Sequence, residues 1–242
     1  MPHSPLRAYY PCEEERREWV RSLFDRTAGD YERMERLMAL GSGSWYRRCA
    51  LQRAGLRAGM SVVDVGMGTG LVAREAAGIV GDNTLVLGVD PSPGMIANAK
   101  IPAGVRLAAG AAESIPTADA SADFISMGYA LRHVSDLPTA FREFHRVLKP
   151  GGRLCLLEIT SPRGVFPRVL LKAYMRGVVP VLARMVARDR RVPELMRYYW
   201  DTIEACVPPA SILEELVAAG FVGAIRHVEH GVFSEYQASR PF

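Results

Sequence analysis

The stretch 62–70 constrains this chain more than any other. It reads Val-Val-Asp-Val-Gly-Met-Gly-Thr-Gly, an apolar strand running into Gly66, Gly68 and Gly70, with helix-forming residues from Leu71 onward. Glycine accepts positive φ and has no Cβ, so such a loop lets backbone come close to a ligand. Strand, glycine loop and helix in that order form the first unit of an α/β layer and a cradle of the nucleotide-binding type.

The elements that follow repeat this unit. Apolar β-type runs at 61–65, 85–89, 105–108, 124–127 and 154–159 alternate with helical patterns at 71–80, 94–100 and 137–148. The runs lack polar alternation, which predicts strands buried on both faces. Strand-then-helix repetition implies parallel strands with right-handed crossovers. Lys149-Pro-Gly-Gly152 is a stop ahead of the fifth strand. Two late strands, 224–228 and 232–237, flank His230-Gly231 and predict an antiparallel hairpin at the end of the sheet. The fold class is therefore α/β: an open, doubly wound, mostly parallel sheet of seven strands with an antiparallel terminal strand, plus added N-terminal and lid helices. In 242 residues no boundary signal appears, so we read 1–242 as a single domain, with N-terminal helices at 13–58, a core at 61–160, a basic helical lid or insertion at 162–205, and a terminal helix and hairpin at 206–242.

A net charge of +4 is too small to imply nucleic acid, and none is expected as a partner. Its distribution is uneven: 163–197 holds nine basic residues against two acidic ones, and the rest of the chain is net acidic. The four cysteines lie far apart with no metal-ligand spacing, which predicts a reduced cytoplasmic setting and no metal. The start, Met-Pro-His-Ser-Pro, has no apolar leader core, and no apolar run reaches the ~20 residues needed to span a bilayer.

The cofactor follows from the acids around the loop. The spacing is G-x-G-x-G rather than the dinucleotide G-x-G-x-x-G, and Asp64 precedes it inside the strand. A carboxylate at that depth repels a pyrophosphate and suits an ammonium group. Asp90 ends the second strand twenty residues after Gly70, where an acid can hold both hydroxyls of a ribose. Ribose and amino acid together, with no basic residue in the loop, point to S-adenosylmethionine.

On these motifs the chain resembles a class I S-adenosylmethionine-dependent methyltransferase. More narrowly it resembles the ubiquinone/menaquinone biosynthesis C-methyltransferase family, of the UbiE type. The stretches that carry the resemblance are 63–70, Gly128-Tyr-Ala-Leu-Arg-His-Val134, Arg146-Val-Leu-Lys-Pro-Gly-Gly-Arg-Leu154 and Tyr198-Tyr-Trp-Asp-Thr-Ile203. The second is similar to the family's Gly-Leu-Arg-Asn-Val segment and the fourth to its Tyr-Leu-Pro-Glu-Ser-Ile segment. The resemblance implies that Asp64, Gly66, Gly68, Gly70 and Asp90 bind the cofactor. It departs where the family has Asp-Ala-Glu and this chain has Ala111-Ala112-Glu113, which moves the expected adenine contacts to the Ala112 amide and Glu113. His133 stands in place of Asn, and Trp200-Asp201 in place of Leu-Pro-Glu.

Loss of a phenolic proton makes the ortho ring carbon nucleophilic, so carbon methylation calls for a base or a cation that favours phenolate. By resemblance Arg132 is the activating arginine, and His133 is a group able to take the proton near neutral pH. Tyr31, Tyr129, Tyr198 and Tyr199 are candidates for lining an acceptor pocket, with a ring to stack and a hydroxyl to orient. The expected partner is a small aromatic or quinol-like acceptor, methylated at ring carbon. The alternatives are O- or N-methylation of a specialised metabolite, and a non-catalytic cofactor-binding or membrane-surface module. In the basic segment, Val165, Phe166, Val169, Leu170, Met175, Val178 and Val179 suit a peripheral membrane contact; an active-site lid or a homodimer contact are the other readings, and Pro180 is expected to kink or interrupt the helix.

Overall fold

The computed structural model describes residues 6–39, 41–162 and 164–242; the Met-Pro-His-Ser-Pro start and Arg163 lie outside the described residues. Seven strands form one sheet: β1 (Val62–Val65), β2 (Val86–Asp90), β3 (Arg106–Ala109), β4 (Ala122–Gly128), β5 (Leu148–Ile159), β6 (Val222–Glu229) and β7 (Phe233–Ser239). Their order is β3-β2-β1-β4-β5-β7-β6, with β7 antiparallel to both neighbours and the other pairs parallel. The order reverses between β1 and β4. Loops leaving those two carboxyl ends run in opposite directions and open a crevice between them, the place where doubly wound sheets take ligands.

Helices cover both faces. α3 (Leu71–Val80) lies on one side and buries Val72, Ala73, Ala76, Ala77 and Val80. On the other, α5 (Leu137–Val147) starts at Asp136, whose carboxylate accepts from the Thr139 amide, and buries Leu137, Ala140, Phe141, Phe144 and Val147 at helical spacing. α2 (Gly43–Arg53) packs Ala50 and Leu51 against α3, and the short α4 (Pro93–Ala97) and α9 (Pro209–Ala218) complete the layers. The central strands are buried on both faces as predicted, but β3 and β6 are largely exposed because they are the two edges of the sheet. Their apolar runs look like interior strands when read alone.

The Lys-Pro-Gly-Gly turn ends α5 as expected, yet it does not lie ahead of β5. Pairing resumes at once, Ala122 with Leu148, and Gly151 (φ 76°) places the turn inside the strand as an irregularity before Arg153. Pro180 interrupts the α-helical run without ending the helix. α6 (Val165–Ala173) passes through one π turn, Tyr174–Val178, into α7 (Val179–Val186) without a break. Widening the turn just before the proline accommodates its ring and missing N–H.

A third apolar core lies outside the sheet layers, where α1 (Glu13–Ala39), α7 and α8 (Val192–Ala205) pack around Trp200, Met34, Leu195 and Met196. Met175 and Val179 belong to this core and are buried, so they do not face a membrane. α1, 27 residues long, is docked beside the crevice. Asp25 Oδ1 accepts the Ser92 hydroxyl at 2.5 Å and the Gly94 amide at 2.8 Å. A Cβ on Gly94 would lie 2.7 Å from Asp25 Cα, so helix and loop meet backbone to backbone.

Candidate active site

A cavity of about 520 Å3 opens at the reversal point. Its floor comes from the ends of β1 and β4, its sides from the loops after β2 and β3, and its cover from α1 through Arg17, Val20, Arg21 and Phe24, with Tyr199 of α8 added. Among the described residues of 162–205 only Tyr199 lines it, so the cover is chiefly the N-terminal helix rather than the basic segment.

Gly66, Gly68 and Gly70 all have positive φ, at 64°, 57° and 91°. Each is glycine for its own reason. A Cβ on Gly66 would sit 2.7 Å from the Ala130 Cβ, and one on Gly70 would sit 2.4 Å from Ile101 Cγ2, whereas one on Gly68 would meet no protein atom within 4 Å. Gly66 and Gly68 line the cavity whereas Gly70 does not, so what a side chain at Gly68 would obstruct is the cradle itself.

Two carboxylates bracket the loop. Asp90 Oδ2 accepts the Gly68 amide and its Oδ1 the Ser92 amide, each at 2.8 Å, leaving the group at the cavity wall. Burial pushes its pKa up to about 6, against the pull of those amides. Asp64 is fully buried under the loop and does not line the cavity. Its Oδ1 accepts the Ser126 hydroxyl at 2.7 Å, while Oδ2 has no hydrogen-bond partner. Burial pushes this carboxyl up to about 7. An unpartnered buried carboxylate oxygen beneath an open glycine cradle fits a cationic group arriving from above.

After β3, Ala111 and Ser114 exchange backbone hydrogen bonds of 3.3 and 3.1 Å, placing Ala112 and Glu113 at the tip of a tight turn on the cavity wall. The Glu113 carboxylate is engaged there: Oε1 accepts the amides of Ser135 (2.9 Å) and Asp136 (3.2 Å). It ties this turn to the loop after β4.

At the other end of the cavity Tyr31, Tyr129, His133, Phe24 and Tyr199 come together. Tyr199 donates its hydroxyl to Tyr31 at 2.9 Å, and Phe24 stands edge-on to His133 at 5.2 Å between centroids. Burial raises the pKa of both tyrosines and of Tyr129, keeping them as neutral donors. Tyr129 holds its position through a positive φ of 60°, with its amide on the Leu157 carbonyl at 2.7 Å. Tyr198 is completely buried and outside the cavity; it stacks on His133, with its oxygen 3.3 Å from His133 Nδ1.

Arg132 does not reach the cavity. Its side chain is 2% exposed and ion-paired with buried Glu158; Nε donates to Thr202 Oγ1 at 3.1 Å, and the guanidinium carbon lies 4.7 Å from the Tyr199 ring centre. Burial works against its charge, yet Glu158 overrides this and raises the guanidinium pKa. Sequence reasoning missed Arg17, Asp25, Ser92 and Met95. The polar periodicity of α1 signals an amphipathic helix, but not what its buried face covers.

Sheet order, glycine cradle and the two acids define the Rossmann-like class of S-adenosylmethionine-dependent methyltransferases, and the cofactor is S-adenosylmethionine. The profile of the ubiE/COQ5 methyltransferase family matches residues 12–236, and the chain belongs to that family. It is 33% identical over 222 residues to the demethylmenaquinone methyltransferase of Symbiobacterium thermophilum, covering 88% of each chain. It is 34% identical over 211 residues to the ubiquinone/menaquinone biosynthesis C-methyltransferase of Rubrivivax gelatinosus, covering 86% of this chain and 81% of that one. In structure it is similar to a methyltransferase of Thermotoga maritima described as a possible histamine N-methyltransferase, with a TM-score of 0.62 at 20% identity, covering 90% of this chain and 98% of that one. It is also similar to a phosphoethanolamine N-methyltransferase of Haemonchus contortus in complex with S-adenosylmethionine, at TM-score 0.59 and 17% identity, covering 81% and 52%. These likenesses concern the fold.

Proposed function

We propose that the chain methylates a ring carbon of a small hydroxylated aromatic, quinol-like acceptor, as the names of its family relatives suggest. The observation that supports this best is the aromatic end of the cavity, lined by Phe24, Tyr31, Tyr129 and Tyr199 with His133 beside them. In this reading 1–242 acts as one catalytic unit, with Asp90 taking the ribose hydroxyls, the Gly66–Gly70 loop the amino-acid end with buried Asp64 acting through that loop, and the Ala112 amide the adenine. The bound cofactor supplies a sulfonium methyl group that needs little activation.

The protein's share is then positioning, exclusion of water and removal of one proton. Tyr199 and Tyr31 orient the acceptor hydroxyl. His133, on the cavity wall beside them, takes the hydroxyl proton. When bound, the cofactor would supply its methyl group to the ortho carbon; the proton displaced from that carbon leaves to water and protonated His133 returns its proton to the acceptor oxygen, so the aromatic hydroxyl is restored. Arg132 acts through Tyr199, as a positioning residue. O- or N-methylation is the second reading, favoured by His133, since a hydroxyl deprotonated by this side chain can itself accept the methyl.

The test is a methyl-labelled cofactor offered with quinols, phenols and heteroaromatic amines, the methylated atom being located by NMR. A quinol methylated on carbon supports the proposal; turnover of hydroxyl or amine acceptors alone rejects the carbon assignment. His133→Asn should lower kcat by ~100-fold or more while cofactor-product affinity stays within twofold; a kcat within threefold of wild type removes His133 as the base.

A further inference from the structure

We propose that the outer face of α6 and α7 is a docking surface for an anionic lipid bilayer. Val165, Phe166, Val169 and Leu170 lie one turn apart in pairs on α6, and Val181 and Met185 continue the face on α7. All six are exposed, Phe166 to 80% and Met185 to 76%. Soluble surfaces seldom gather so many large apolar side chains on adjoining turns. Among the described residues no helix is long and apolar enough to cross a membrane, so the face is suited to lie on a bilayer rather than to span one.

Charge selects the occupant. Arg184, Arg188, Arg190 and Arg191 are exposed at the end of α7 and in the turn after it, and among the described residues no carboxylate pairs with them. Arg168, Lys172 and Arg176 are different: they are spent on Glu204 and Asp201 of α8, which bind the segment to its own core. An apolar stripe rimmed by unneutralised arginines complements anionic head groups above acyl chains. A second copy of the same face would bring like charges together.

The surface is also mounted on the cover of the cavity. Asp30 of α1 accepts the amides of Arg188 and Asp189 at 2.7 and 2.9 Å, and Arg33 donates to the Val186 carbonyl at 3.0 Å. A bilayer held by α6 and α7 therefore lies next to the helix that closes the site, where an acceptor with an apolar tail would arrive.

Flotation with vesicles of phosphatidylglycerol and phosphatidylcholine, or phosphatidylcholine alone, tests this with the full chain. Wild type should float with the anionic vesicles, at least tenfold less with neutral ones, and at least tenfold less in 0.5 M salt. Phe166→Ser with Leu170→Ser should lose tenfold or more of the bound fraction, as should Arg184→Glu, Arg190→Glu and Arg191→Glu together. Affinity for S-adenosylhomocysteine, measured on the same variants, should stay within twofold, which confirms folding and separates this proposal from the methyl-transfer reading. Equal flotation of variants and wild type overturns it. So does a homodimer that Phe166→Ser and Leu170→Ser dissolve while wild type ignores both kinds of vesicle.

Discussion

Glu158→Gln should be among the costliest conservative changes in this protein. The side chain is 1% exposed, and three donors converge on its two oxygens: Arg132 Nη1 and the Ile159 amide (2.8 Å) on Oε1, and the Arg132 amide (3.3 Å) on Oε2. An amide side chain of the same shape offers one oxygen and turns an N–H toward a donor at the other. It also leaves the Arg132 guanidinium, 2% exposed, without its counter-charge. Stranding one partner of a buried ion pair costs ~3–5 kcal/mol. Urea denaturation followed by tryptophan fluorescence measures it, with an unchanged denaturant slope confirming that the midpoint reports stability. Adding Arg132→Met removes the stranded charge and should recover ~1.5 kcal/mol or more. A loss below ~1 kcal/mol for the single variant, or a double variant weaker still, would refute the view that this pair is a coupled structural unit.

Gly68→Ala places an L residue at φ 57° with no protein clash, so we expect a stability cost of ~1–2 kcal/mol and a loss of cofactor-product affinity of tenfold or more by calorimetry. Gly70→Ala should show the reverse balance, its Cβ striking Ile101, with stability falling further than affinity. The pH response follows from Asp90 and Asp64, raised to about 6 and about 7. Because the folded state binds their protons more tightly than the unfolded chain does, their contribution to stability is fully present below the ordinary carboxylate pKa and is lost as pH rises through 6 and 7. Cofactor-product affinity should move the other way, strengthening from pH 5.5 to 7.5 as Asp90 becomes the acceptor ribose hydroxyls need, and Asp90→Asn should flatten that rise. Asp25→Ala removes both hydrogen bonds between α1 and the α4 turn and should speed hydrogen exchange along α1 without altering exchange in β1 or β4.

The glycine cradle was legible because its requirements are local. Positive φ at 66, 68 and 70, and a strand before them, are properties of neighbours in sequence, and so is the periodicity that placed α3 at 71–80. Asp90 could be placed at the site because a strand end is a fixed distance along the chain from the loop it pairs with, Asp64 standing opposite Gly88 in the register. The resemblance in 128–134 brought Arg132 and His133 forward together, though it could not separate them.

What sequence alone determined here is the set of elements, their order and the chemistry of the nucleotide cradle, since each depends on residues within a turn or a strand of one another. Tertiary structure alone decided which of two adjacent side chains faces the site: one turn of backbone sends His133 to the cavity and Arg132 into Glu158, 26 positions away. It likewise decided that α1 closes the pocket, because Asp25 meets Ser92 across 67 residues. Burial and charge pairing across such separations depend on where the whole chain puts its partners, and no local pattern carries that information.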